Sequence, residues 1–140
     1  MKILNETEII NNINRYSIKY IDIIDGKSLS EQISRINLDI KVGNHILKNE
    51  PFNIRVEITS EKFINIIQIG APGKAQFSSG EEIQGVIVNT DTIRNYEEEN
   101  FNRFIEELEN HLDDIHYENK RMFFECLTPD TINYLEAEYE

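Results

Sequence analysis

The stretch EEENFNRFIEELENHLDD, residues 97–114, decides the fold class because the spacing of apolar residues changes there. Upstream, apolar residues alternate with polar ones, whereas from Phe101 onward they recur every three or four positions. The recurring residues are Phe101, Phe104, Ile105, Leu108, Leu112 and Ile115. This spacing predicts an amphipathic helix of about 20 residues and ~30 Å. Glu97 to Glu99 would form its first turn, where negative charge interacts favourably with the helix dipole.

The segment before this helix is typical of β-structure. Five runs either alternate between apolar and polar residues or are apolar throughout, and we predict each as a strand. They are residues 16–22, 36–42, 52–58, 63–69 and 83–89. A short connection makes 36–42 and 52–58 predicted antiparallel neighbours, and 63–69 is predicted to pair with 83–89. The glycine-rich stretch GAPGKAQFSSG, residues 70–80, is predicted as a loop between the second pair.

The two ends of the chain carry helix signals. Asn5 and Glu8 have the form of an N-cap and its reciprocal partner, which predicts a short helix near residues 6–14. RMFFECL, residues 121–127, is predicted as a final strand or extended segment. Thr128 before Pro129 predicts the start of a short terminal helix. Runs of strands followed by helices favour a single α+β domain over residues 1–140. We expect an antiparallel sheet of five to six strands with the long helix on one face.

The charge is concentrated in the last third of the chain. Residues 1–90 hold 11 acidic and ten basic side chains, net −1, whereas residues 91–140 hold 15 and four, net −11. A field of this sign repels phosphate backbones, so we expect no nucleic-acid partner and favour a cationic protein partner. No apolar run is long enough for a signal peptide or membrane span, which predicts a cytoplasmic protein without a membrane partner. The abundance of isoleucine and asparagine is typical of an AT-rich bacterial or phage genome.

Motifs for catalysis, metals or cofactors are weak in this sequence. GAPGK, residues 70–74, has the wrong glycine spacing for a phosphate-binding loop and lacks the following Ser or Thr. Asp113 and His116 resemble only half of a carboxylate-bridged metal site, and His116 is predicted to lie on the surface. Cys126 sits among large apolar residues, which is typical of an inert buried thiol. We therefore expect no enzyme activity, no metal and no cofactor.

Three functional hypotheses remain. The first is an immunity-type inhibitor that neutralises a basic partner such as a nuclease toxin through complementary charge. Its predicted partner-binding residues are Glu106, Glu109, Asp113, Asp114, Tyr117 and Glu118. The second is a secretion chaperone or adaptor, which would need an exposed apolar strip and is compatible with a homodimer. The third is a bacterial or phage module for a small nucleotide-like ligand, with predicted ligand-binding residues Lys74, Phe77, Arg94 and Arg103.

Overall fold

The structure is a computed structural model that describes the backbone of residues 12–139 and the side chains of residues 15–95 and 101–136. Four long strands form the main sheet: β1 Asn12–Asp25, β4 Phe52–Ser60, β5 Phe63–Gln76 and β6 Glu82–Asn100. Two short strands form a separate hairpin: β2 Lys41–Val42 and β3 His45–Ile46. The helices are α1 Leu29–Ser34, α2 Phe101–Glu106, α3 Leu108–Glu125 and α4 Pro129–Tyr139. The described chain therefore has the predicted α+β class.

The main sheet is antiparallel, with the strands in the order β1, β6, β5, β4. β4, β5 and β6 are joined as successive hairpins, and β1 closes the sheet on the far side of β6. Ile69 lies opposite Val88, which confirms the predicted pairing of residues 63–69 with 83–89. β1 and β4 are the two edges of this sheet, so each offers one side of its backbone to other partners.

The sheet has four strands rather than five to six because residues 36–42 do not form the predicted strand. Ile36 makes one isolated bridge to Leu127, and β2 pairs with β3 instead of with β4. Ile36 belongs to the buried core, and Leu38 packs against it. These apolar residues lie in an irregular connection. Alternation along the sequence does not distinguish such a connection from a strand.

The predicted loop at residues 70–80 is also mostly strand. β5 continues to Gln76, and an irregularity between Gly70 and Gly73 interrupts its register with β6. A bulge of this kind accommodates Pro72, which cannot donate a ladder hydrogen bond. Only residues 77–81 lie between the two strands.

The helical region begins and ends later than predicted. β6 extends to Asn100, so Glu97 to Glu99 belong to a strand and the interpretation based on the helix dipole is wrong. The single predicted helix is two helices that meet at Glu107. α3 then runs to Glu125, so most of residues 121–127 is helical rather than extended.

The terminal predictions have different outcomes. The predicted first helix near residues 6–14 lies largely outside the described residues, and its last part, residues 12–14, belongs to β1. The terminal helix is confirmed as α4, and the Thr128 hydroxyl accepts a hydrogen bond from the Thr131 amide at 3.3 Å. This bond satisfies one of the amides that a helix start leaves free.

The core lies between one face of the sheet and the helices. α3 packs over β1, β6 and β5, and α4 closes the end of this layer through Ile132 and Leu135. The buried apolar residues of the cluster are Ile24, Ile36, Ile67, Ile69, Ala71, Val86, Val88, Met122 and Leu127. None of the helices in the described part of the chain is long and apolar enough to cross a membrane.

Candidate functional site

The inward face of α3 is partly polar. Glu118 is only 6% exposed, and its carboxylate accepts hydrogen bonds from the Asn65 side-chain amide at 2.8 Å and from Arg121 Nε at 3.0 Å. Arg121 also donates to the Ser60 hydroxyl at 3.1 Å. Glu118 therefore links α3 to the sheet. This position removes it from the exposed partner surface predicted from the sequence.

The same network continues into the centre of the sheet. The Thr92 hydroxyl donates to Asn65 Oδ1 at 2.8 Å. The Asn119 side-chain amide lies 2.9 Å from the Thr90 carbonyl oxygen and 3.0 Å from the Thr92 hydroxyl. All four residues are buried, and these bonds satisfy polar atoms that would otherwise be costly in a core. The network fixes the rotation of α3 and thus which of its side chains face outward.

The outward face of α3 carries three of the predicted partner-binding residues in one stripe. Glu109, Asp113 and Tyr117 follow each other at intervals of four residues, which places them on the same side of a helix. All three are exposed, and 71% of the Tyr117 surface is accessible. Among the described side chains, neither Glu109 nor Asp113 forms an ion pair. We call these three residues the acidic stripe.

The remaining predicted carboxylates flank this stripe differently. Glu106 is exposed at the end of α2, just before the break at Glu107. Asp114 is exposed but its carboxylate contacts Lys62 Nζ at 3.2 Å. An exposed pair of this kind contributes little to stability, although it partly neutralises the charge of Asp114. The structure thus places four of the six predicted residues on or beside one surface. Among the described side chains, none of the three carboxylates in this set forms an ion pair.

A hollow of about 370 Å³ lies between the acidic stripe and strand β1. Its walls are largely aromatic: Tyr20, Tyr117, Phe123 and Phe124. The Asp22 carboxylate lies among them, and burial raises its pKa above the usual value. Lys120 Nζ stands over the Phe124 ring at 5.8 Å from its centroid. Aromatic rings beside a carboxylate form a surface suited to ammonium or guanidinium groups.

A second hollow of about 410 Å³ lies on the other side of Tyr117, towards β5. Lys62, Asp114 and Arg121 line it. The pKa of Arg121 is raised, chiefly by its hydrogen bond to Glu118, so this guanidinium stays charged. Tyr117 therefore separates an aromatic hollow that contains the Asp22 carboxylate from a polar hollow that contains paired charges.

The alternative ligand-binding residues do not come together. Lys74 and Phe77 lie at the β5–β6 turn, where Lys74 is opposite Gln84 and its Nζ is 3.6 Å from a Glu82 carboxylate oxygen. Arg94 lies ten residues further along β6, which corresponds to about 30 Å along the strand. Arg103 is exposed on α2 and contacts Glu107 at 3.7 Å. The four residues predicted for a nucleotide-like ligand therefore do not share one pocket.

Two histidines and the cysteine pack against neighbouring side chains. His111 is buried and stacks on Phe104 with ring centroids 5.1 Å apart, while His116 is exposed as predicted and contacts Tyr20. Burial raises the pKa of the Cys126 thiol to about 11, with a further contribution from Glu125. Among the described residues, no group of three or more His, Cys, Asp or Glu side chains is placed to hold a metal ion.

Sequence reasoning missed the contribution of β1 to this surface. Tyr20 and Asp22 follow the alternation that puts Ile24 in the core, so both point to the side of the sheet that α3 covers. The available signal was Asp22, a carboxylate at a position where the alternating pattern predicts an apolar residue. No protein-family model matches this chain, and no curated protein or solved structure matches it significantly.

Proposed function

We propose that this protein is a non-enzymatic, immunity-type inhibitor that binds and neutralises a basic protein partner, such as a nuclease toxin. The observation that carries the proposal is the acidic stripe of α3, where two uncompensated carboxylates lead to an exposed aromatic residue. The carboxylates of the stripe would occupy the cationic groups with which the partner holds nucleic-acid phosphates.

The local energetics of α3 do not account for these charges. Glu109 and Asp113 are like charges four residues apart, an arrangement that costs a few tenths of a kcal/mol in an exposed helix. Asp114, next to Asp113, extends the charge on this helix. Two neighbouring carboxylates without a cation in the described structure attract an incoming positive surface. Such attraction raises the association rate and makes it sensitive to salt.

Tyr117 provides the contact that would hold the complex together. Large exposed aromatic residues are frequent among those that dominate binding energy at protein interfaces. The aromatic hollow beside Tyr117 offers Asp22 as a further acceptor. A lysine or arginine of the partner that enters this hollow would stack on the rings and neutralise the desolvated carboxylate.

A second candidate function is that of a chaperone or adaptor for unfolded or secreted chains. It is favoured by exposed apolar residues away from the acidic stripe: Ile21 on β1, with 65% of its surface accessible, and Val42 and Ile46 on the β2–β3 hairpin. Apolar capture would persist or strengthen at high salt, whereas capture by the acidic stripe would weaken. Salt dependence therefore separates the two functions.

The test compares three immobilised proteins in lysate of the source organism. They are the wild type, a stripe variant with Glu109→Lys and Asp113→Lys, and a control with Asp39→Lys and Glu81→Lys. The control alters two exposed carboxylates outside the stripe and changes the net charge by the same amount. Bound proteins are washed at low and then high salt and identified by mass spectrometry.

The proposal predicts one basic protein that binds the wild type and the control, leaves at high salt and is absent from the stripe variant. The purified partner should lose its activity when the wild type is added. Equal loss of capture by the stripe variant and the control would show that only net charge matters. Capture that survives high salt in all three proteins would favour the adaptor function.

A further inference from the structure

Strand β4 is an edge strand whose outer backbone has no partner among the described residues. It pairs with β5 over its full length, from Phe52 opposite Ala71 to Ser60 opposite Phe63. The main sheet ends at β4. Exposed edge strands offer a row of amide and carbonyl groups for pairing with another strand, and most proteins protect them.

One side of β4 is apolar and incompletely covered. Val56 and Ile58 are 41% and 42% exposed on the face that α3 covers elsewhere. α3 packs over β1, β6 and β5, and at the end of β4 its Arg121 donates a hydrogen bond to the Ser60 hydroxyl. Ile54 lies on the same side and is half-buried. A partner added beside β4 would remove this apolar surface from water.

The other side of β4 carries one positive and one negative charge. Arg55 and Glu57 are both more than half exposed, and the guanidinium lies 3.2 Å from the carboxylate. Charges on an edge strand normally prevent pairing because an arbitrary incoming strand brings like charges into opposition. Here the two charges have opposite sign and are placed symmetrically about Val56, so one specific partner avoids that penalty.

We propose that a second copy of this chain pairs with β4 in antiparallel fashion, about a twofold axis at Val56. In this register Val56 faces its own copy and Ile54 faces Ile58, so apolar residues meet on one side of the sheet. On the other side Arg55 faces Glu57 of the second copy, and Glu57 faces its Arg55. The result is a cluster of four charges with alternating sign and a continuous sheet of eight strands.

The charge distribution favours β4 over the acidic helix as the contact between copies. The chain has a net charge of −12, and most of it lies after residue 90, so contact through α3 would oppose like charges. Residues 52–60 carry only Arg55 and Glu57 and are neutral as a unit. The dimer is independent of the proposed function because it leaves the acidic stripe on a different element.

The test uses charge reversal on β4. Arg55→Glu produces a strand with two acids, and Glu57→Arg produces a strand with two arginines. Each variant opposes like charges in both symmetric pairs and should raise the dimer dissociation constant at least about tenfold. The double variant with both changes restores opposite charges and should dimerise like the wild type. Lys48→Glu and Glu81→Arg, exposed positions outside β4, are controls matched in net charge.

Sedimentation equilibrium measures the oligomeric state, and circular dichroism checks that each variant is folded. The most specific expectation concerns a mixture of the two single variants, because each acidic strand then meets a basic one and a heterodimer should form. A wild type that is monomeric at all concentrations would overturn the proposal. So would a dimer that the single variants leave intact, or single variants that fail to associate when mixed.

Discussion

Replacement of Asn65 by leucine tests whether the buried polar network holds α3 on the sheet. Leucine has the same branching and the same number of side-chain heavy atoms as asparagine, so the change removes hydrogen bonds without leaving a cavity. It deletes a 2.8 Å bond to the Glu118 carboxylate and a 2.8 Å bond from the Thr92 hydroxyl. A bond to a charged group contributes roughly 1.5–3 kcal/mol and a neutral bond roughly 1 kcal/mol. We expect the free energy of unfolding to fall by about 3 kcal/mol.

Glu118→Leu is the matching change on the helix, and the pair forms a double-mutant cycle. The single change leaves the Asn65 amide buried without its acceptor and should cost about 2 kcal/mol. The loss of the ion pair between Glu118 and Arg121 adds little to this cost, because the Arg121 side chain is one-third exposed. The double variant removes both partners together, so we expect about 3 kcal/mol rather than the sum of the two costs.

Urea unfolding followed by circular dichroism measures these changes, with all variants at one protein concentration because association affects apparent stability. A cost below about 1 kcal/mol for Asn65→Leu would refute the role assigned to the network. Single costs that simply add in the double variant would show that Asn65 and Glu118 are not coupled.

Three further predictions concern other parts of the chain. The Cys126 thiol, with a pKa of about 11, should react with an aromatic disulfide reagent at pH 8 about a hundredfold more slowly in the native state than after unfolding. Equal rates would contradict the partial burial of this thiol. Glu50 should titrate near pH 2 by NMR, because two backbone amides and a histidine ring stabilise its carboxylate. The contribution of Glu50 to stability is therefore complete above pH 4.5 and is lost as the pH falls through 2. An ordinary pKa for Glu50 would contradict these hydrogen bonds. Gly85→Ala would press a Cβ atom against the carbonyl oxygen of Ile24, and thermal unfolding should show a loss of about 3 kcal/mol in the free energy of unfolding. Gly43→Ala, at a left-handed position with open space, should lose only about 1 kcal/mol. Equal losses would contradict the packing of β1 against β6.

The sequence predicted those elements of the fold whose formation depends mainly on a single physical rule. Alternation in residues 52–58 matches β4, whereas the nearly continuous apolar run in residues 63–69 matches β5, which lies between β6 and β4 in the sheet. The start of α4 was predictable because Thr128 and Pro129 satisfy the local requirements of a helix end. Residues 36–42 show the limit of the same rule, since apolar side chains in an irregular connection also follow the pattern.

The continuation of α3 could not be predicted because its inward face changes from apolar to polar residues. After Ile115 the next inward positions are Glu118 and Asn119, whose partners Asn65 and Thr92 lie on strands distant in sequence. A pattern search expects apolar residues at these positions and therefore ends the helix too early. The same buried polar contacts explain why Glu118 lies inside rather than on the predicted outer surface, whereas Glu109, Asp113 and Tyr117 are exposed.

The measurement that tests the proposed function most directly is the rate at which the captured basic partner associates with this protein as a function of salt. For the wild type and for the Asp39→Lys and Glu81→Lys control, we expect a fall of at least about tenfold between 0.05 and 0.5 M salt. The variant with Glu109→Lys and Asp113→Lys should associate slowly even at low salt. Identical rates for the three proteins at every salt concentration would contradict the role of the acidic stripe.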